Sequence, residues 1–246
     1  MKNLSEKCRK LLEVYRDGSL GQTVMPEDSH PGFSKTEQES KFCYFTFPMS
    51  LNYQRNSYTL WESALKTYQD EGTKSIFNVH WSAQADPDQL RGHLMKYKIA
   101  LQPNKHIATW QKIAQTVDAN WGSLTKLFDT CDNDFLKLRE IVQKQHKKGF
   151  PYLSGPKIFN YWSFIMATYG GVKMKHTAFI DIAPDTHIIK CSVILGVITE
   201  RESVNLTREQ ISERWREGLK GSGINPIDLH APLWFWSRNG FLFKID

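Results

Sequence analysis

Apolar side chains recur along this chain at spacings of three and four, and the strict alternation expected of half-buried strands is absent. Leu4, Cys8, Leu11, Leu12 and Tyr15 define one face of a helix over residues 4–16. Residues 18–40 are rich in Gly, Pro, Ser, Asp and Glu and predict a long connection. The run Phe42 to Met49 is continuously apolar, so periodicity alone fits either a short strand or the start of a buried helix. From residue 50 the pattern becomes helical: Leu60, Trp61, Ala64, Leu65 and Tyr68 form a stripe ending near Gly72. Further apolar faces cover 88–101 and 105–117, punctuated by Pro87 and Pro103. Residues 121–146 predict two short helices parted at Cys131-Asp132-Asn133-Asp134, with Asp132 or Asn133 capping the second. Residues 156–169 are apolar and aromatic on nearly all sides, as a central helix requires. Residues 186–196 and 207–218 add two more helices, and 232–243 an aromatic C-terminal element. No internal repeat is present. The predicted fold class is mainly α.

Composition narrows the function classes. At 246 residues, with 40% hydrophobic side chains and eight Trp, the chain can bury one large core or two small lobes. A formal net charge of +6 favours polyanions through phosphate neutralisation. Cys8, Cys43, Cys131 and Cys191 lie far apart with no CxxC pair, which excludes a local zinc ribbon or iron–sulfur loop. No HExxH, GxGxxG or Walker-type loop occurs, so no metal and no cofactor is expected. The opening residues Met1 to Lys7 are charged and carry no apolar stretch, so no export signal is expected, and no apolar run approaches the roughly 18 residues of a membrane span. The expected setting is intracellular (cytoplasm or nucleoid, or the nucleus of a eukaryote), with no membrane partner.

The most informative stretch is Lys147-Lys148-Gly149-Phe150-Pro151-Tyr152-Leu153-Ser154-Gly155-Pro156-Lys157. Two lysines precede a tight turn that opens a helix, with Pro156 in the first helical turn, where its missing N–H costs nothing. Backbone N–H groups at Gly155 and the positive end of the helix suit a phosphate, with Lys148 beside them. Taken alone, this is also what an ordinary helix connection looks like. Twenty-eight residues beyond Lys157 comes Asp181-Ile182-Ala183-Pro184-Asp185-Thr186-His187, where Asp185 begins a new helix as a cap or as an acid.

These residues resemble the helix-hairpin-helix DNA glycosylases, and most of all their archaeal 8-oxoguanine branch. That family is marked by a hairpin, a lysine opening the next helix, and an aspartate starting a later helix after a Pro-containing approach; Lys157 and Asp185 fall on those positions. Tyr53-Gln54-Arg55 followed by Leu60-Trp61 resembles the family's N-terminal helix with its base-reading glutamine, here Gln54. Ile227 to Trp234 resembles its C-terminal pocket segment. The likeness spans roughly residues 45–240 and is strongest around 150–190. Three positions depart from it: the hairpin lacks a second glycine, His230 stands where the branch carries aspartate, and Phe164 replaces a second lysine.

The resemblance implies a two-lobed helical fold with the active-site cleft between lobes, one lobe of roughly 1–50 plus 185–246, the other of 51–184 with the hairpin at 148–157. It implies a monomer acting on double-stranded DNA that contains a damaged base. Lys157 would attack the deoxyribose as a neutral amine, helped by the aromatic surroundings of Phe159, Tyr161 and Trp162, and give a Schiff base that permits strand cleavage. Asp185 would stabilise the cationic sugar. The extruded base would be read by Gln54 and His230 and stacked on Trp234 or Trp81, while Lys148, Gly155 and His187 would meet phosphates. Two alternatives stand beside it: the same fold excising a different base, and a hairpin DNA-binding protein without catalysis.

Overall fold

The computed structural model describes residues 2–21 and 23–245, with side chains from Leu4 onward. Among these residues the structure is mainly helical and forms no strand, with an isolated parallel bridge between Asp134 and Lys175. The opening helix is Lys2–Arg16. The ambiguous apolar run is helical: Gln38–Thr46, then a tighter 3₁₀ turn, Pro48–Leu51. Every side chain from Phe42 to Leu51 is buried, so this segment has no polar face and shows no period in sequence.

Most later helices lie where the periodicity places them. Ser57–Gln69 begins on Asn56, whose side chain accepts from the Tyr58 and Thr59 N–H groups. Pro87–Lys96 begins on Asp86, and Lys105–Trp121 ends on left-handed Gly122. The break before Phe135–Glu140 is capped by Asp134, which accepts from Leu136 N at 2.8 Å and Lys137 N at 3.3 Å. Asp132 and Asn133 instead turn the chain with φ of 56° and 51°. The C-terminal helix is His230–Arg238, earlier than the expected 232–243 because a 3₁₀ turn, Pro226–Leu229, leads straight into it.

The chain divides into two compact units, Met25–His176 and Met1–Val24 with Thr177–Asp246. The expected boundaries near 50 and 184 thus move to 24 and 176. Gln38–Thr46 packs against Leu124–Thr130 and Pro156–Thr168, which ties residues 38–46 to the middle of the chain. Glu39 strengthens that tie by accepting from Leu124 N and Thr125 N, both at 2.8 Å, at the positive end of the Leu124–Thr130 helix. At the other boundary Asp181 pairs with Arg216, and the Ile182 carbonyl accepts from Ser212 Oγ.

The Met25–His176 unit is built on aromatic packing. Phe47 stacks on Trp110 at 4.9 Å, Phe128 packs on Trp162, and the Trp162 indole donates to Thr46 Oγ1 at 3.0 Å. In the other unit, Trp215 is fully buried with its indole donating to Ser192 Oγ at 2.8 Å, and Tyr15 stacks on Phe235. No helix among the described residues is long and apolar enough to cross a membrane.

Candidate functional site

The hairpin forms by successive changes of helical pitch. Phe135–Glu140 widens into a π turn at Ile141–Gln145, tightens to a 3₁₀ turn at Lys147–Gly149, and reverses through Tyr152 into the Pro156–Thr168 helix. Ser154 N donates to Phe150 O at 2.9 Å, and Gln143 Nε2 donates to Ser154 O at 3.0 Å, closing the loop on itself. Tyr152 holds φ of 60°, a left-handed conformation that costs a non-glycine residue about 1–2 kcal/mol. Its ring stacks on Tyr53 at 4.2 Å, and Lys105 Nζ lies 4.9 Å from its centroid. Such contacts return roughly 0.5–1.5 kcal/mol for the stack and about 0.5–1 kcal/mol for the cation, enough to offset the strain. The left-handed turn is therefore made without a glycine.

Lys157 is the second residue of the helix and is exposed. Phe159 and Trp162 are fully buried against Phe135 and Phe128, so two of the three aromatic side chains expected around the amine lie in the core instead. Tyr161, four residues on and so on the same face as Lys157, is half-buried. Gly155 differs from its expected part: its N–H donates to Tyr152 O at 3.0 Å within the turn and is not presented to a ligand. Lys148 is exposed. Gln54 lies in the turn before Ser57–Gln69 rather than on a helix, exposed, with φ of 50°. The same turn is anchored by Arg55, which donates to Ile99 O at 2.7 Å, and by the Tyr53–Tyr152 stack, so Gln54 is held beside the hairpin. Trp81 sits on a short helix, Val79–Gln84, half-buried and stacked on His93 at 5.2 Å.

In the other unit Asp185 is the N-cap of Thr186–Ile194, its Oδ1 accepting from Ile188 N at 2.9 Å. His187 turns toward its own unit: Nδ1 lies 3.0 Å from Ser237 Oγ, and the ring meets Trp234 edge-on at 5.5 Å. Trp234 is half-buried with the Arg238 guanidinium 4.9 Å over its ring, and His230 is buried at the head of the same helix. Of the expected site, then, Lys157, Gln54, Trp81, Lys148 and Gly155 belong to Met25–His176. Asp185, His187, His230 and Trp234 belong to the second unit.

One chemically distinctive residue lies outside that set. Glu27 is completely buried; its Oε1 accepts from the Trp61 indole at 2.9 Å and from Tyr161 OH at 3.1 Å, while Oε2 has no hydrogen-bond partner among the described residues. Burial pushes its carboxyl up to about 7. Pro26-Glu27-Asp28 reads as ordinary connection in sequence, and only the distant Trp61 and Tyr161 make it special. The four cysteines are buried free thiols, and burial pushes Cys8, Cys131 and Cys191 up to about 12, far from the thiolate a nucleophile needs. Among the described residues no three His, Cys, Asp or Glu side chains are grouped to hold a metal ion. No protein-family model matches the chain, and no curated protein matches it in sequence.

Proposed function

We propose that this chain is a DNA glycosylase with an associated lyase step, acting on duplex DNA that carries an oxidised purine, with 8-oxoguanine as the first substrate to test. The observation that carries the reading is Lys157: an exposed amine on the first turn of an otherwise largely buried helix, directly after a lysine-bearing turn, as in the helix-hairpin-helix glycosylases. Asp185, exposed in part and fixed as a helix cap, supplies the acid that the same resemblance requires.

The chemistry follows from those two groups. The exposed Lys157 ammonium first loses a proton to solvent; its Nζ lone pair then forms a bond to C1′ of the deoxyribose as the C1′–N glycosidic bond breaks, the base leaving with the electron pair and taking up a proton from that nitrogen. The resemblance gives the Asp185 carboxylate the part of stabilising positive charge on the sugar in that transition state. The C1′–O4′ bond then opens as C1′=N forms, with the proton from nitrogen passing to O4′. Loss of a C2′ proton expels the 3′ phosphate by breaking C3′–O3′.

Incubation with an 8-oxoguanine duplex is expected to release the base and nick the strand. Asp185→Asn is expected to fold and bind DNA normally, since Asn is as good a helix cap as Asp, while excision slows by roughly 10²-fold or more for loss of the charge. Excision by the Asn variant at the parent rate would remove Asp185 from the mechanism.

His230 supports a second reading, in which the fold is kept and the base differs. It stands, buried, at the head of the Trp234 helix in place of the aspartate found in the resembling branch. Single-turnover excision across a panel of modified bases separates the two: a clear preference for another lesion selects the second, and a preference for 8-oxoguanine retires it.

A further inference from the structure

A cavity of about 760 Å³ lies within the Met25–His176 unit, between the Lys105–Trp121 helix and the segment 144–149. Lys112, Gln115, Thr116, Ala119 and Asn120 form one wall; their spacing of three, four, seven and eight residues is a single helical face. The facing wall carries Lys144, Lys147 and Lys148 with His146 between them, and no carboxylate lines the space. Glu140, which is not part of the lining, pairs with Lys144 at 2.7 Å, and this leaves the other three ammoniums outside that pair. The walls are held in register by a close approach: a Cβ on Gly149 would sit 2.5 Å from Thr116 Cγ2 and 2.6 Å from its Oγ1. Both atoms belong to a stiff β-branched side chain, so only glycine lets the 3₁₀ turn press so near the helix.

We propose that this cavity carries the phosphodiester backbone of duplex DNA, along a track separate from the Gly155–Lys157 helix start. The four lysines are exposed, with their charged heads in water, a poor design for gripping one small anion. Spread over two walls, they suit successive phosphates on one strand, whose bound counterions are released as each lysine docks. The side-chain amide of Gln145 adds a neutral donor along the same walls, while Gln115 Nε2 is turned to the Ala83 carbonyl at 3.4 Å. The inference rests on the reading above only for its choice of DNA as the ligand.

The test uses the full chain and an undamaged duplex, so no chemistry is involved. Fluorescence anisotropy over a series of salt concentrations gives the slope of log K against log[salt]. The double variant Lys112→Gln/Lys147→Gln is expected to lower the magnitude of that slope by about 1.8, at about 0.9 for each phosphate left without its lysine. It is expected to weaken binding equally for unrelated sequences. Lys112→Arg/Lys147→Arg should keep the parent slope. Lys66→Gln/Lys126→Gln removes the same charge from exposed positions that do not line the cavity and should also leave the slope unchanged. An unaltered slope in the first variant, or an equal fall in the control pair, overturns the proposal. Borohydride trapping on a damaged duplex keeps the two readings apart: adduct formation with no effect of Lys112 and Lys147 rejects the cavity alone, and a cavity effect without any adduct rejects the glycosylase alone.

Discussion

Lys157→Gln is expected to leave the protein folded and still able to bind DNA while abolishing the covalent product. Borohydride delivers hydride to the C1′=N bond and freezes it as a secondary amine, so the trapped adduct reports one atom, the attacking nitrogen. A glutamine amide has no basic lone pair on nitrogen and cannot form that bond. The expected result is loss of the adduct on a denaturing gel, with strand cleavage slowed by on the order of 10³-fold or more, about 4 kcal/mol of transition-state stabilisation. Folding should be nearly untouched, because Lys157 is exposed and the helix it opens is anchored through Phe159, Trp162, Ile165 and Met166, all fully buried. An adduct of undiminished yield from the variant would move the nucleophile elsewhere, with Lys148 and Lys105 as the next amines to test, since both sit in the same unit near the hairpin.

Much of the scaffold is legible in the sequence because amphipathic helices announce themselves. The stripes at 60–68, 105–117 and 207–218 each predict a helix that the fold contains, and the all-apolar 156–169 predicts the buried one. What escapes is short or buried all round. Val79–Gln84 and Glu200–Asn205 span six residues each, fewer than two turns, so no periodicity can develop. Gln38–Thr46 lacks a polar face, and so a strand fits its pattern as well. The site is legible only as far as it is local. Asp185 lies at its predicted helix start because a Pro-Asp-Thr approach suits a cap. Gly155 has the residue type of a phosphate donor, yet its amide closes its own turn, a hydrogen bond that residue type cannot reveal. Gln54 precedes by three residues the helix on which the resemblance places it. Glu27 gives no signal, since its burial depends on partners 34 and 134 residues away.

Glu27 also makes the stability of its unit depend on pH in an unusual direction. Most partnered carboxylates have a depressed pKa, so proteins gain stability from them as pH rises past the acid range. Here burial raises the carboxyl from 4.5 to about 7, so the folded chain holds the proton more tightly than the unfolded one. The contribution is therefore fully present below about 4.5 and is lost as pH rises through about 7. Integrated over that window the loss is roughly 3 kcal/mol, an order-of-magnitude value for a completely buried group. Glu27→Gln keeps an oxygen to accept from Trp61 and Tyr161 and cannot ionise. Its amide nitrogen, placed where Oε2 finds no partner, costs a fixed amount of about 1–3 kcal/mol at every pH. The informative quantity is therefore the difference between parent and variant, not either stability alone. Urea unfolding at pH 4.5 and pH 8 is expected to show that difference shifting by roughly 3 kcal/mol in the variant's favour as pH rises. A difference that stays constant across the range would mean the Glu27 carboxyl is ionised in both states, with the Trp61 and Tyr161 hydrogen bonds strong enough to outweigh its burial.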